Sequence, residues 1–342
     1  MNPPRILISR LSAIGDVIHG LPVLNALRRR FPEAMLAWVV ESRAATLLRG
    51  HPALNELIEL PRGWLKSPRE VWQLRRRLRA CGFTTSIDMQ GLTKSGIAAR
   101  LAGAPQRIGF GDEKGRELSR WFINTPVITT APHIIDANLE LLRPLGIEHA
   151  VAEFNLPERE PDRQTAEAII GNAGCGRGFA VVNPGAGWPS KLWPVQRYAK
   201  VAQHLGRAWN VPTLVVWAGD QEHAWADEIA RDSAGYARVA PPTSLTQLAA
   251  IARRARLFIG SDTGPLHLAA AVGTTCIGLY GPMPSERNGP YGPQHIAIQP
   301  CRFEGTSRER RSAPAALMEA ITVEMVCDAC DCIVARGAAD VA

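Results

Sequence analysis

The sequence lacks any long uninterrupted apolar segment. No stretch reaches the roughly 18 to 20 apolar residues that a membrane-spanning helix needs, so we expect no helix of this chain to cross a bilayer. The apolar run that begins at Ile6 is interrupted by Arg10 and Asp16, which argues against a secretory signal peptide. Both observations lead us to expect a cytoplasmic protein.

The sequence also lacks a disulfide framework and a regular metal motif. Its seven cysteines are odd in number and spread over 342 residues, which favours a reducing compartment. Cys327, Cys330 and Cys332 cluster near the end, with Cys301 as the candidate fourth ligand, but the spacing is irregular and no histidine accompanies them. Surface or packing cysteines are therefore a better interpretation than zinc ligands. No Asp-x-Asp pair occurs, and we expect neither a metal nor a cofactor.

Two common nucleotide-binding signatures are missing as well. The Walker spacing of a glycine, four residues and Gly-Lys does not occur. The dinucleotide fingerprint is also absent, because the glycines at 109 and 111 follow no convincing strand pattern and those at 174–178 precede a strand instead of following one. These absences disfavour a P-loop protein and a Rossmann dehydrogenase.

What the sequence does contain is the pattern of an α/β protein. Short apolar runs bounded by turn residues alternate with helical patterns, which is typical of a parallel sheet. A chain of 342 residues is long enough for two domains of roughly 150 residues each. The alternation lapses near residues 150–178, so we expect domains at 1–155 and 156–342. The predicted fold class is α/β, with two Rossmann-like, doubly wound domains facing each other across a cleft.

Four strands are predicted in each half of the chain. They cover Ile6–Ser9, Leu36–Val40, Leu57–Leu60, Thr85–Asp88, Phe179–Asn183, Thr213–Trp217, Leu257–Gly260 and Thr275–Leu279. A single helix is predicted from Val17 to Arg30, directly after the first strand and its turn.

Positive charge is concentrated in the first half. Residues 1–150 carry 21 Lys and Arg against 13 Asp and Glu, an excess of +8, while residues 151–342 carry 18 against 19. An anionic partner for the first half would explain this asymmetry: nucleic acid, an acidic membrane surface or a phosphorylated acceptor. The alternative is a solvated basic surface, since the arginine runs 28–30 and 75–77 fall on predicted helix faces.

The first candidate site is the turn at residues 12–16. It follows the first strand and opens the first helix, which is where open parallel sheets bind ligands. Asp16 would be exposed there, although a plain helix-capping role is an open alternative. His19 lies one helical turn further, where a histidine is more often a packed wall residue than a catalyst.

The second half contains three candidate anion or nucleotide contacts. A glycine-rich loop at residues 183–187 is followed by Lys191, and together they could bind phosphate. In the segment 261–267, Pro265 suits the first helical position and leaves nearby amides available to an anion, while Asp262 could order the loop or simply cap it. Glu222 resembles a carboxylate that accepts from ribose hydroxyls, or it is a solvated first-turn residue.

Taken together and in this order, these segments resemble glycosyltransferase family 9, and within it the ADP-heptose:lipopolysaccharide heptosyltransferases of type I. The matching stretches are residues 12–19, 88–95, 109–116, 191–194 and 262–267. The resemblance implies a GT-B fold and metal-independent, inverting transfer of heptose from ADP-heptose to a phosphorylated lipid A–Kdo acceptor. It also implies a catalytic base and a set of donor-binding residues: Asp16 as the base, with Lys191, Asp262, Thr263, Gly264, His267 and Glu222 at the donor.

The acceptor is expected to bind to the basic first half of the chain. Candidate contacts are Arg62, Lys66, Arg116 and Arg120, and the partner surface would be the inner face of the cytoplasmic membrane, with no nucleic acid involved and the protein a monomer. Two departures from the family pattern concern the loop 183–187, where a threonine-containing loop is expected, and the segment after Gly292. Alternatives are a nucleotide-sugar 2-epimerase of the same architecture, a family 9 transferase with another donor or acceptor, and a non-catalytic basic binding protein.

Overall fold

The chain folds into two compact units. The structure is a computed structural model that describes residues 3–176 and 178–339. Its two units span Met1–Pro157 and Glu158–Ala342, whereas the boundary predicted from the sequence lies between residues 155 and 156. No helix within the described ranges is both long and apolar enough to cross a membrane.

The first unit is built on a six-stranded parallel sheet in the order β3-β2-β1-β4-β5-β6. Its strands are β1 (Arg5–Ser9), β2 (Met35–Glu41), β3 (Glu56–Leu60), β4 (Thr85–Asp88), β5 (Gln106–Phe110) and β6 (Thr125–Val127). Its helices are α1 (Ile14–Ile18), α2 (Leu21–Arg30), α3 (Ser42–Ala45), α4 (Pro68–Ala80), α5 (Thr93–Leu101) and α6 (Ile134–Glu140).

The second unit repeats this topology, with a six-stranded parallel sheet in the order β12-β11-β10-β7-β8-β9. Its strands are β7 (Ala180–Asn183), β8 (Thr213–Val215), β9 (Ala237–Val239), β10 (Leu257–Ser261), β11 (Cys276–Leu279) and β12 (Ile296–Ile298). Its helices are α7 (Glu160–Asn172), α8 (Val195–Trp209), α9 (Asp220–Asp232), α10 (Leu245–Arg254), α11 (Gly264–Ala271), α12 (Ser285–Asn288), α13 (Ser307–Arg311), α14 (Ala316–Glu319) and α15 (Val323–Ala339). The predicted fold class, α/β with two Rossmann-like, doubly wound domains, is confirmed.

Each sheet is covered on both faces, which explains its continuous apolar strands. Ile6, Leu7 and Ile8 are all fully buried along β1, and Phe258 and Ile259 are fully buried along β10. A strand that alternated apolar and polar residues would have placed polar groups under a helix, so parallel strands of this kind are apolar throughout.

The predicted helix from Val17 to Arg30 is wrong in one respect, because it is broken at Gly20. Pro22 in the first turn of α2 has no N–H to donate to the Ile18 carbonyl, its partner in a continuous helix. The next carbonyl, that of His19, accepts from the Asn138 side-chain Nδ2 at 3.1 Å. A Cβ at position 20 would lie 2.8 Å from the Trp38 ring, so only glycine allows this close approach.

The cysteine cluster of the sequence lies on α15. Cys330 is buried in the core of the second unit, Cys327 packs against that core and Cys332 is exposed. The three thiols occupy different environments along one helix, so packing and surface positions account for them.

Candidate active site

In each sheet the predicted motifs lie together, in the turns that follow two neighbouring central strands. In the first unit, the turns after β1 and β4 contain residues 12–16 and 88–91, and these two strands are neighbours at the point where the strand order reverses. In the second unit, the loops after β7 and β10 contain residues 183–187 and 262–264, again from neighbouring strands at the reversal. Doubly wound sheets bind ligands at this topological switch point.

Asp16 is the third residue of α1 and its carboxylate is fixed by two donors. Its Oδ2 accepts from the backbone N–H of Ala13 at 3.0 Å, and its Oδ1 lies 2.6 Å from Arg10 Nη2. The Arg10 side chain is only 6% exposed, while that of Asp16 is 38% exposed. Asp16 therefore helps to cap the helix and also presents its carboxyl group to solvent beside the Arg10 guanidinium.

A network of polar side chains links the turn after β1 to the turn after β4. Ser12 Oγ accepts from Lys94 Nζ at 2.9 Å, and Lys94 also pairs with Glu41 Oε1 at 2.7 Å. Gln90 Oε1 accepts from the backbone N–H of Leu11 at 2.9 Å. No role for Glu41 or Gln90 was predicted from the sequence, although Glu41 directly follows a predicted strand and Gln90 comes two residues after another.

Asp88 is a buried carboxyl group at the end of β4. It is 1% exposed, and its Oδ1 accepts from the backbone N–H groups of Gln90 at 2.9 Å and Gly91 at 3.2 Å. Burial raises the pKa of Asp88 to about 6, and these hydrogen bonds only partly oppose it. Asp88 therefore holds the turn at 88–91 in place and is enclosed within it.

Gly91 joins two of the family-matching segments. Its φ is +63°, and a Cβ there would lie 2.2 Å from the carbonyl oxygen of Lys114. The N–H of Arg116 donates to the Gly91 carbonyl at 2.9 Å. The loop after β5 is thereby held against the loop after β4, so the segments 88–95 and 109–116 are in direct contact. The expectation that no strand precedes Gly111 is wrong, because Gly109 and Phe110 belong to β5.

The four predicted acceptor residues are exposed but differ in their contacts. Arg62 and Lys66 lie between β3 and α4, and Arg116 lies in the loop after β5. Arg120 is different, because its guanidinium donates to the carbonyls of Gly115, at 3.2 Å, and Asp112. Arg120 therefore stabilises the 112–116 turn, so a role in binding would add to a structural one.

His19 lies inside the first unit. It is 2% exposed, and its ring meets the ring of His133 edge to face with centroids 6.3 Å apart. This placement agrees with the expected wall residue.

In the second unit, Asp262 holds the two basic side chains of the site. Lys191 Nζ donates to Asp262 Oδ2 at 2.6 Å and to the Asp262 carbonyl at 3.2 Å, while His267 Nε2 lies 2.9 Å from Oδ1. Although burial raises the pKa of Asp262, the His267 hydrogen bond and the Lys191 charge outweigh it and lower that pKa to about 2. We expected Asp262 to order its loop through backbone N–H groups; its carboxylate binds side chains instead.

The start of α11 offers backbone donors beside this cluster. Thr263 is the N-cap residue, yet its hydroxyl makes no capping hydrogen bond, and Pro265 occupies the first turn. The Thr263 hydroxyl is buried without a hydrogen-bond partner among the described residues. A helix start whose amides are not capped by a side chain, with a cation nearby, is a common arrangement for binding phosphate.

Glu222 reaches from α9 to the glycine-rich loop after β7. Its Oε2 accepts from the N–H of Ala218 at 2.9 Å, and its carboxyl group would lie 2.2 Å from a Cβ at Gly185. Beside it, Trp217 stacks on His223 with ring centroids 4.2 Å apart, and its indole N–H donates to the Ala240 carbonyl at 2.7 Å. This stacked pair was not predicted, although Trp217 ends a predicted strand and is visible there in the sequence.

Comparison with known proteins identifies relatives of this chain. A family model described as glycosyltransferase family 9 (heptosyltransferase) matches residues 71–315. Lipopolysaccharide heptosyltransferase 1 of Pseudomonas aeruginosa is 27% identical over 331 residues, covering 90% of each chain.

Solved structures are similar over nearly the whole chain. The glycosyl transferase family 9 structure from Veillonella parvula DSM 2008 has a TM-score of 0.84 at 22% identity and covers 98% of both chains. The E. coli heptosyltransferase WaaC with ADP has a TM-score of 0.75 at 26% identity, covering 94% of this chain and 97% of that one. WaaC with ADP-2-deoxy-2-fluoro heptose has a TM-score of 0.74 at 25% identity, with the same coverage.

Proposed function

The chain belongs to glycosyltransferase family 9 and is a glycosyltransferase, and on this premise we propose that it transfers heptose from ADP-heptose to a phosphorylated lipid A–Kdo acceptor of the lipopolysaccharide core. Heptosyltransferases among its relatives support the reaction, and the ADP and the ADP-heptose analogue bound to WaaC support the donor. The observation that carries the proposal is the cluster of Lys191, Asp262 and His267 beside the uncapped start of α11.

The donor diphosphate lies at Lys191 and at the amides of Thr263 and Gly264. A lysine ammonium has three N–H donors, two of which point to Asp262, so the third is available to a phosphate oxygen. When the bond between the anomeric carbon and the diphosphate oxygen breaks, negative charge develops on the leaving group. Donors already in position stabilise this charge without reorganising, each by a factor of about 10² to 10³ in rate. Glu222 contacts the nucleoside.

Asp16 is the base on the acceptor side. The acceptor hydroxyl attacks the anomeric carbon from the face opposite to the diphosphate, its proton passes to the Asp16 carboxylate, and ADP leaves with the bonding electrons. One displacement inverts the anomeric configuration. Arg10 and the Ala13 N–H hold the carboxylate in position, through contacts of 2.6 and 3.0 Å. In this mechanism the cationic and amide donors take the place of a divalent metal.

A direct assay tests the reaction. Purified protein is expected to release ADP from ADP-heptose only when Kdo-lipid A is present, and to do so equally in EDTA. ADP release is followed by a coupled assay, and the lipid product by its mass. Consumption of the donor without acceptor would indicate the 2-epimerase type of reaction, and activity lost in EDTA and restored by magnesium would contradict the metal-independent mechanism.

The acceptor side of the proposal places the protein at the inner face of the cytoplasmic membrane. Two large apolar side chains of the first unit lie near Arg116 and Arg120 in the sequence and are exposed: Leu118 at 50% and Trp121 at 82%. Tryptophan beside basic residues is the combination that binds the interface of an anionic bilayer. In this proposal the same basic residues bind the phosphates of the lipid acceptor.

Salt should therefore weaken acceptor binding more than donor binding. Exposed charges are screened within about 8 to 10 Å at physiological ionic strength, so the acceptor KM is expected to rise steeply with salt while the donor KM changes little. Replacing Arg62, Lys66 and Arg116 together by alanine should raise the acceptor KM and flatten its salt dependence. Both KM values are measured from low to moderate salt.

The matched control removes the same charge elsewhere. Arg30, Arg75 and Arg76 are exposed on α2 and α4, and their triple alanine variant should leave the acceptor KM unchanged. Equal effects of the two triple variants would mean that net charge alone matters. An unchanged acceptor KM in the first variant would remove these residues from the acceptor site.

A further inference from the structure

The C-terminal segment supplies a second cation beside Lys191. Helix α13 packs on the turn at residues 188–191, where Ser190 Oγ donates to the carbonyl of Arg310 at 2.8 Å. The guanidinium of Arg311 lies 5.0 Å from the centre of the Trp188 ring, and Lys191 Nζ lies 4.4 Å from the same ring. Two cations from separate parts of the chain therefore lie close to the same indole ring.

Only one of these two cations is paired with a carboxylate. Asp262 is engaged by Lys191 and His267, and within the described residues Arg311 has no carboxylate at ion-pairing distance. The face of an indole attracts a cation but has no net charge to cancel it. A ligand with two or more negative charges would supply the counter-charge that Arg311 lacks, beside the one that Lys191 already has in Asp262.

The neighbouring loop explains why a second cation is needed. Residues 183–187 offer one polar side chain, Asn183, and its Nδ2 donates to the Val216 carbonyl at 3.2 Å inside the core. Nothing lies within 4 Å of a Cβ placed at Gly187, so the loop leaves open space. Side-chain donors for a diphosphate on this side of Lys191 must therefore come from outside the loop.

We propose that Arg311, held on Trp188, binds the terminal phosphate of the donor's diphosphate together with Lys191, and so makes the site prefer a nucleoside diphosphate to a monophosphate. This inference rests on the proposed function, because it takes the nucleotide to lie at Lys191. A guanidinium can give two parallel hydrogen bonds to one phosphate, which an exposed arginine stacked on a ring is free to form.

Calorimetric titration with ADP and AMP tests the inference. Arg311→Ala is expected to weaken ADP binding by about tenfold and AMP binding by less than about twofold, because only ADP has the second phosphate. Arg311→Lys keeps the charge and should recover part of the loss. Arg308→Ala, on the same exposed helix, is the matched control and should bind both nucleotides like the parent. The donor KM in turnover should rise in the Arg311→Ala variant and the acceptor KM should not.

Each outcome separates this inference from the proposed function. If the parent binds ADP and Arg311→Ala binds it equally well, Arg311 is not a phosphate contact and the transferase proposal stands. Equal losses for ADP and AMP would make Arg311 a support for the Trp188 turn and overturn the inference. If the parent binds no adenine nucleotide, the proposed donor is wrong and the inference falls with it.

Discussion

Replacement of Asp16 by asparagine is expected to lower kcat by about 10²-fold or more while ADP binding stays close to that of the parent. The amide has the shape of the carboxylate and its oxygen can still accept from the Ala13 N–H. It cannot take a proton from the acceptor, and it loses the ion pair with Arg10 that is 2.6 Å long in the parent. The loss therefore falls on the chemical step, which single-turnover kinetics measure directly.

A second first-turn carboxylate provides the control. Asp136 is the third residue of α6, as Asp16 is of α1, and it lies in the same unit. Asp136→Asn removes the same charge from an equivalent helical position and should leave kcat unchanged. Near-normal turnover in Asp16→Asn would assign the base to another group. The 2% exposure of His19 makes that residue a poor substitute, because a general base has to reach the acceptor hydroxyl.

The central strands of both sheets could be predicted because burial on two faces leaves a clear signal. The eight predicted strands agree with β1 to β4, β7, β8, β10 and β11 within two residues at each end. The four missed strands have weaker patterns. Strands β6, β9 and β12 have three residues each and each lies at a sheet edge, while β5 begins with Gln106 and Arg107. An edge strand pairs on one side only, so its sequence need not be an apolar run.

The residues of the site were easier to predict than their contacts. Asp16, Lys191 and Asp262 follow strands or open helices, and this position in the chain is visible in the sequence. The ion pairs of Asp16 with Arg10 and of Asp262 with Lys191 join the ends of neighbouring elements. Arg311 is the extreme case, because 120 residues separate it from Lys191 and no local pattern relates the two. Only the packing of α13 on the 188–191 turn brings them to one ring.

The second large effect is expected at Lys191. Lys191→Ala should lower kcat/KM for the donor by about 10² to 10³, with kcat and KM both affected, since the diphosphate is bound in the ground state and gains charge in the transition state. Against the opposing effect of burial, the His267 hydrogen bond and the Lys191 charge lower the pKa of Asp262 to about 2, so this carboxylate stays ionised throughout the pH range of an assay. Lys200→Ala, at an exposed lysine of α8, is the control and should behave like the parent.

Loss of folding has to be separated from loss of binding in this variant. The side chains of Lys191 and Asp262 are 12% and 5% exposed, so removing the lysine leaves a buried carboxylate with only His267, a change that costs about 3 to 5 kcal/mol of stability. The double variant Lys191→Ala, Asp262→Asn removes that charge and should recover much of the thermal stability. It should not recover ADP binding, because the cation is still missing. A double variant that regains both stability and ADP binding would show that Lys191 supports the fold and does not hold the diphosphate.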